Sequence, residues 1–279
     1  MKKILGLVFV VAILSGCDKQ APEEAATQAP SSKDIAEVTK PAIAEVIKPE
    51  VNRAETKVLL VYQVQEPGVD PYKSRIIITD EYIRLDDNDD GNDFVLVNRK
   101  DKTVYSVSDD NDSILVVKHR PVTLKAPIEL YPETVRKTDE NAPKIDGREL
   151  VHYIFKINGE ACQDATIAEG LLIEATAAIA EYRHILAGQH ATTFKSTPAD
   201  LQNACDMAMH IFQPDRYLKF GLPVEERDYT GYKRSLIDFD DAYEVNPALF
   251  TLPAEYKQFS IDELQAPAPA EEGATQSKT

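Results

Sequence analysis

The chain has 279 residues and carries 31 Lys and Arg against 47 Asp and Glu, so its formal net charge is −16. A charge this negative argues against nucleic acid as a partner, because phosphate binding requires a cationic surface. A hydrophobic content of 43% argues against wholesale disorder, and three cysteines are too few for a disulfide-dense mini-protein.

The N-terminus has the layout of a secretory signal. Two lysines precede an apolar run from Ile4 to Leu14, which is too short for a transmembrane helix. Leu14-Ser15-Gly16-Cys17 then resembles the lipobox of bacterial lipoproteins. The resemblance implies that residues 1–16 are removed as a signal peptide and that Cys17 carries diacylglycerol, with a fatty acid such as palmitate on its new amine. Two or three acyl chains give stable membrane attachment.

Two segments of low complexity flank the middle of the chain. Residues 17–57 are predicted to be the acylated cysteine plus a disordered tether, and 265–279 a disordered tail, because such compositions bury too little apolar surface to fold. Residues 58–264 are predicted to form a single domain. The lipid makes the membrane a partner and places this domain on the periplasmic side of a bacterial membrane. Asp18 resembles a retention signal, which slightly favours the inner membrane.

The cysteine count predicts a disulfide. If Cys17 carries lipid, Cys162 and Cys205 remain in an oxidising compartment, and their pairing would close a loop of about 43 residues. Redox catalysis is the alternative, but the chain has no Cys-x-x-Cys pair. The pair is therefore interpreted as structural.

The first half of the domain is predicted to consist of short β-strands. Runs rich in β-branched residues alternate with turns rich in Asp, Asn and Gly, which is typical of an antiparallel meander. The predicted strands are 58–64, 75–79, 82–85, 94–97, 103–107 and 113–117, followed by less regular candidates at 121–130 and 150–157.

The second half changes to helical spacing. A first helix is predicted to end at Gly188, and a second to run from Ser196 or Thr197 to Phe212, before Pro214. A strand at 229–239 and a final apolar segment at 248–256 follow. The apolar stripe of the first helix is Leu172, Ala175, Ile179, Tyr182 and Leu186.

This order of elements predicts an α+β domain, in which an antiparallel curved, half-barrel-like sheet has two or more helices packed on one face. The meander from Ile76 to Arg84 and the final Leu249-Phe250-Thr251-Leu252-Pro253 with Tyr256 resemble the periplasmic lipoprotein-carrier and receptor superfamily (LolA/LolB-like). The resemblance implies a concave apolar face that holds acyl chains. The expected lining residues, for which ordinary core is the alternative, are Leu60, Tyr62, Phe94, Leu96, Ile179 and Tyr182.

One stretch, 86–93, is unusually acidic. Asp86, Asn88 and Asp90 match the first ligand positions of a calcium loop, but Val97 stands where that loop requires glutamate. The stretch is predicted to be a polar hairpin turn, with a weak Ca²⁺ site as the alternative. Alternate turns of a meander lie at the same end of the sheet. The turns at 66–72, 86–93 and 109–112 should therefore form an acidic rim, suited to cations or a basic protein.

The sequence contains no Gly-x-Ser-x-Gly elbow, phosphate loop or His-Glu-x-x-His motif, and its five histidines do not assemble by spacing. The prediction is a non-enzymatic, lipid-anchored envelope protein without a cofactor, which binds an acyl chain or another apolar ligand. The alternatives are an envelope scaffold that presents the acidic rim to a basic partner, and an uncatalogued hydrolase.

Overall fold

The computed structural model describes residues 56–87, 93–139, 141–198 and 202–265, which fall in one compact unit. The predicted lipidation site Cys17, the candidate ligands Asn88 and Asp90, and the tail after Gln265 lie outside these ranges. Nearly all of the tether also lies outside them.

Thirteen strands of the described residues form one sheet. The spatial order is β13-β6-β5-β4-β3-β2-β1-β12-β11-β10-β9-β7, with β8 paired to β9 off this path. Paired strands are antiparallel except for β13, which runs parallel to β6. The strands are β1 (Lys57–Gln65), β2 (Tyr72–Thr79), β3 (Tyr82–Asp86), β4 (Phe94–Asn98), β5 (Thr103–Ser108), β6 (Ser113–Lys118), β7 (Pro132–Thr138), β8 (Lys144–Ile145), β9 (Arg148–Ile157), β10 (Glu160–Glu169), β11 (Gly221–Asp228), β12 (Lys233–Asp240) and β13 (Lys257–Ser260).

One long helix, α1 (Ile173–Phe194), accompanies the sheet. The other helices are short: α2 (Ala204–Met207), which continues as a π-helical turn at Ala208–Phe212, and α3 (Ile261–Gln265). Single 3₁₀ turns lie at Leu218–Phe220 and Pro247–Phe250.

The predicted fold class, an antiparallel half-barrel-like sheet under two or more helices, is wrong. The structure is dominated by a large mixed sheet that does not close on itself, and among the helices of the described residues only α1 is long. The second predicted helix begins late, because the side chain of Asn203 caps it by accepting a hydrogen bond from the amide of Asp206 at 2.7 Å. It also ends after one regular turn and a π turn.

The strand register separates two faces of the sheet. Registered pairs through β2 and β3 connect Leu60 of β1 to Val95 of β4, so these two residues share a face. Phe94 and Leu96 flank Val95 in the same strand and therefore lie on the opposite face. There they form an apolar cluster with Val107.

The face that carries Leu60 is the one on which α1 packs, and we call it the helix face. Val64 lies on the same side of β1 as Leu60 and pairs with Arg234 of β12, which pairs in turn with Glu226 of β11. Arg183 of α1 lies 3.8 Å from Glu226. On the opposite face, the C-terminal chain covers the Phe94 cluster, where the Phe250 ring stacks on Tyr82 with 5.5 Å between centroids.

Gly188 does not end α1, which continues to Phe194. It allows the helix to approach the chain after β6, because a Cβ at Gly188 would collide with the backbone carbonyl of Arg120.

Replacing Gly188 with Ala should therefore destabilise the fold by about 1–3 kcal/mol, although Ala favours the helix over Gly by about 1 kcal/mol. Urea unfolding measures this loss. The control is Ala177→Gly at an exposed position of α1, which should lose about 1 kcal/mol through propensity alone. A more stable Gly188→Ala would contradict the packing role.

Candidate functional site

A cleft of about 690 Å³ opens beside α1. This volume is in the range of small-molecule sites, roughly 300–1,000 Å³. Its floor is a stripe of α1, and its walls come from the β4–β5 turn, the chain after β6 and the segment around the 3₁₀ turn at Leu218–Phe220. The lining residues are Arg99, Lys102, His119, Ile173, Thr176, Ala177, Ala180, Glu181, His184, Ile185, Asp215, Leu218 and Lys219.

The floor of the cleft is largely apolar. Ile173, Ala177, Ala180 and His184 recur three or four residues apart, which places them on one stripe of α1. Ile173, on this stripe, is 46% exposed. At 1.5 Å per residue the apolar part of this stripe, from Ile173 to Ala180, is about 11 Å long.

Both carboxylates of the cleft have basic partners. Glu181 accepts two hydrogen bonds from Arg99, at 2.7 and 2.9 Å, and this pairing raises the pKa of Arg99 above its usual range. Arg99 also donates to the carbonyl of Thr79 at 2.8 Å. Asp215 lies 3.3 Å from Nε2 of His184.

Three further basic residues line the cleft. Within the part of the chain that the structure describes, Lys102, His119 and Lys219 take part in no ion pair. The amide of His119 donates to the carbonyl of Lys102 at 2.9 Å, so these two residues stand together on one wall. Lys219 lies on the other wall, with Nζ 5.2 Å from the centre of the Phe220 ring. The cleft is therefore locally basic in a chain of net charge −16.

The structure does not assemble the six predicted lining residues into one surface. Leu60 and Tyr62 are buried on the helix face, whereas Phe94 and Leu96 are buried on the opposite face. Ile179 is buried and Tyr182 half-buried on α1, and none of the six lines the cleft. The cleft was missed because its walls come from chain segments that are far apart in sequence.

Of the three predicted metal ligands, Asp86 lies within the described residues. It is 2% exposed and is paired with two guanidinium groups. Arg75 donates two hydrogen bonds to it, both at 2.8 Å, and Arg84 donates one at 2.7 Å. Burial alone would raise the pKa of this carboxyl, but the two arginines outweigh burial and hold it below the usual range. Among the described residues, no group of three or more His, Cys, Asp or Glu side chains is arranged to hold a metal ion.

The described parts of the predicted acidic turns do lie at one end of the sheet, because successive strands from β1 to β6 are antiparallel neighbours. Several of their carboxylates are engaged in local contacts, since Glu66 accepts a hydrogen bond from the Tyr72 hydroxyl and Asp86 pairs with two arginines. Asp93 accepts a hydrogen bond from the amide of Asp109 at 2.7 Å, and Asp109 accepts one from the hydroxyl of Tyr256.

A charged cluster that the sequence did not reveal lies inside the helix face. Glu226 is 3% exposed, with one carboxylate oxygen 2.6 Å from Nε of Arg234. The guanidinium of Arg234 also lies over the ring of Tyr62 at 4.5 Å. Among the described residues, the second oxygen of Glu226 and the hydroxyl of Tyr217 have no hydrogen-bond partner. The pairing could not be read from the sequence, because it depends on the register of β11 against β12.

Two histidines also meet, contrary to the expectation from spacing. The rings of His190 and His210 lie 5.4 Å apart between centroids. Burial, followed by the charge of His210, lowers the pKa of His190 to about 4, so this ring is neutral at pH 7. His210 lies 3.9 Å from Asp206, which accepts a hydrogen bond from the Tyr229 hydroxyl at 2.6 Å.

The predicted disulfide is present and joins Cys162 of β10 to Cys205 of α2. Ile157 and Ala208 pack against it. Among the helices of the described ranges, none has the length and apolar character needed to cross a membrane.

No family model and no curated protein matches the chain. Among solved structures, an uncharacterized conserved protein from Thermus thermophilus is 9% identical, with 74% of this chain and 90% of that one covered and a TM-score of 0.38. PNGF-II is 12% identical in one crystal form, with 75% of this chain covered and a TM-score of 0.35. The match covers 32% of PNGF-II, so this chain spans about a third of that protein. Likeness at this level supports no inference about function.

Proposed function

We propose that the protein is a non-enzymatic lipoprotein of the bacterial cell envelope and that its cleft binds an acyl chain or a similar apolar ligand. The lipobox at Cys17 supports anchoring on the periplasmic side of the membrane, and Asp18 favours the inner membrane. The domain would then work close to a lipid surface, at the end of its tether.

The exposed apolar stripe of α1 carries the proposal for the ligand. Ile173 and Ala177 are exposed on the floor of the cleft instead of being covered by the chain. Removing apolar surface from water yields roughly 25 cal/mol per Å², so a ligand that covers this stripe gains binding energy there. An extended alkyl chain matches a straight apolar stripe about 11 Å long.

Photoaffinity labelling of the full-length protein in bacterial membranes tests this proposal. Diazirine probes with one alkyl chain and different head groups should label residues 173–185, and Ala177→Glu should reduce that labelling about tenfold because it places a charge on the apolar floor. Ala254→Glu, at an exposed position outside the cleft, is the matched control and should label like the unaltered protein. Labelling by no probe in this segment, or labelling that Ala177→Glu leaves intact, would refute the cleft as the ligand site.

A further inference from the structure

We propose that the ligand of the cleft is an amphiphile with an anionic head group, which Lys102, His119 and Lys219 hold at the rim. The inference rests on the proposed function, since it assumes that an alkyl chain lies on the α1 stripe. It adds the chemistry of the head group and names the residues that recognise it.

The local charge of the cleft is opposite in sign to the net charge of the protein. Its lining has three Lys and Arg against two Asp and Glu, with two histidines besides, whereas the whole chain has 31 Lys and Arg against 47 Asp and Glu. A chain with this net charge repels anions at long range, so a bound anion needs local cations. The cleft supplies such cations beside its apolar floor.

The ion pairs within the cleft indicate where the head group lies. Arg99 donates hydrogen bonds to Glu181 and to the carbonyl of Thr79. The negative charges of Asp80 and Glu174 also interact with its guanidinium group. His184 faces Asp215. Lys102 and Lys219 are therefore the lining residues that can offer positive charge to a ligand, and His119 stands beside Lys102.

An amphiphile uses both features of the cleft at once. A small anion would be held by the cations but would leave the apolar stripe of α1 in water, and a neutral lipid would cover the stripe without using the cations. An alkyl carboxylate, alkyl phosphate or similar molecule places its chain on Ala177 and Ala180 and its head group between the two walls. Exposed ion pairs are individually weak, so the two lysines should give an anionic head group a preference on the order of tenfold over a neutral one.

The test compares three photoreactive probes that share one alkyl chain and end in a carboxylate, an alcohol or an amine. With the full-length protein in membranes, half-maximal labelling of residues 173–185 should need about tenfold less carboxylate than alcohol, and more amine than either. Lys102→Glu combined with Lys219→Glu should abolish this preference by raising the carboxylate concentration needed for half-maximal labelling about tenfold. The paired Gln substitutions should give an intermediate loss, and they provide the readout if charge reversal prevents folding. Lys118→Glu, in an exposed residue beside His119 that does not line the cleft, should change nothing.

The outcomes separate the inference from the function on which it rests. Equal labelling by carboxylate and alcohol would overturn the anionic head group and leave an acyl-binding cleft in place. Labelling by none of the probes would overturn the proposed function itself. Displacement of the carboxylate probe by inorganic phosphate as efficiently as by an unlabelled fatty acid would show that the cleft binds anions without the chain, which would also overturn the inference.

Discussion

Replacing Asp86 with Ala should reduce the free energy of unfolding by about 3–5 kcal/mol, because it leaves the partly buried guanidinium groups of Arg75 and Arg84 without their shared counter-charge. Urea unfolding of the full chain, followed by circular dichroism, measures the loss. Arg84 also donates to the carbonyl of Leu249 at 2.7 Å, so the variant should loosen the C-terminal segment that covers the opposite face. Asp241→Ala, at an exposed carboxylate, should change stability by less than about 0.5 kcal/mol.

The same variant separates the structural role of Asp86 from calcium binding. Because the pKa of Asp86 is held below its ordinary value of 3.8, the carboxylate stabilises the fold fully above that pH. Its contribution is lost as the pH falls through the lower pKa of the folded state. A large loss of stability at pH 7 without calcium supports the structural role. A melting temperature that rises with calcium in the unaltered protein but not in Asp86→Ala would instead make Asp86 a metal ligand.

The sequence predicted the elements whose signal is local. The strands β1 to β6 lie within a few residues of their predicted positions, because β-branched residues recur there between clear turns. β10 was missed, since Glu160–Glu169 contains few β-branched residues and is held in place by pairing with β9 and β11. Such pairing depends on partners distant in the chain, which local propensity does not contain.

Gly188 shows the same limit in a helix. As a sequence signal, glycine after an apolar stripe indicates a helix end, but here it serves a close contact with Arg120. The cleft shows the same limit of sequence-based prediction, because Lys102, His119 and Lys219 belong to no common sequence motif. Only the fold brings them to the rim of one cleft. The cysteine pair could be predicted because only Cys162 and Cys205 remain once Cys17 is assigned to the lipid, and that count does not depend on the fold.

Removing the disulfide should reduce the free energy of unfolding by about 4 kcal/mol, since the bond closes a loop of 43 residues in the unfolded chain. The double variant Cys162→Ser, Cys205→Ser should show this loss in urea unfolding. The reductant dithiothreitol is the matched control, because it should destabilise the unaltered protein and leave the double variant unchanged. Equal stability of the two proteins, or an effect of reductant on the double variant, would contradict the prediction.

The loss should also be uneven within the native state. α2 has four residues and its π-helical extension five, so this segment depends on tertiary anchors such as the disulfide and its packing against Ile157. Amide exchange in the double variant should therefore accelerate across 202–213 more than in α1. The contact between His190 and His210 depends on the same segment, since His210 lies in the π turn. A uniform acceleration over the whole domain would show instead that the disulfide acts only through the unfolded chain.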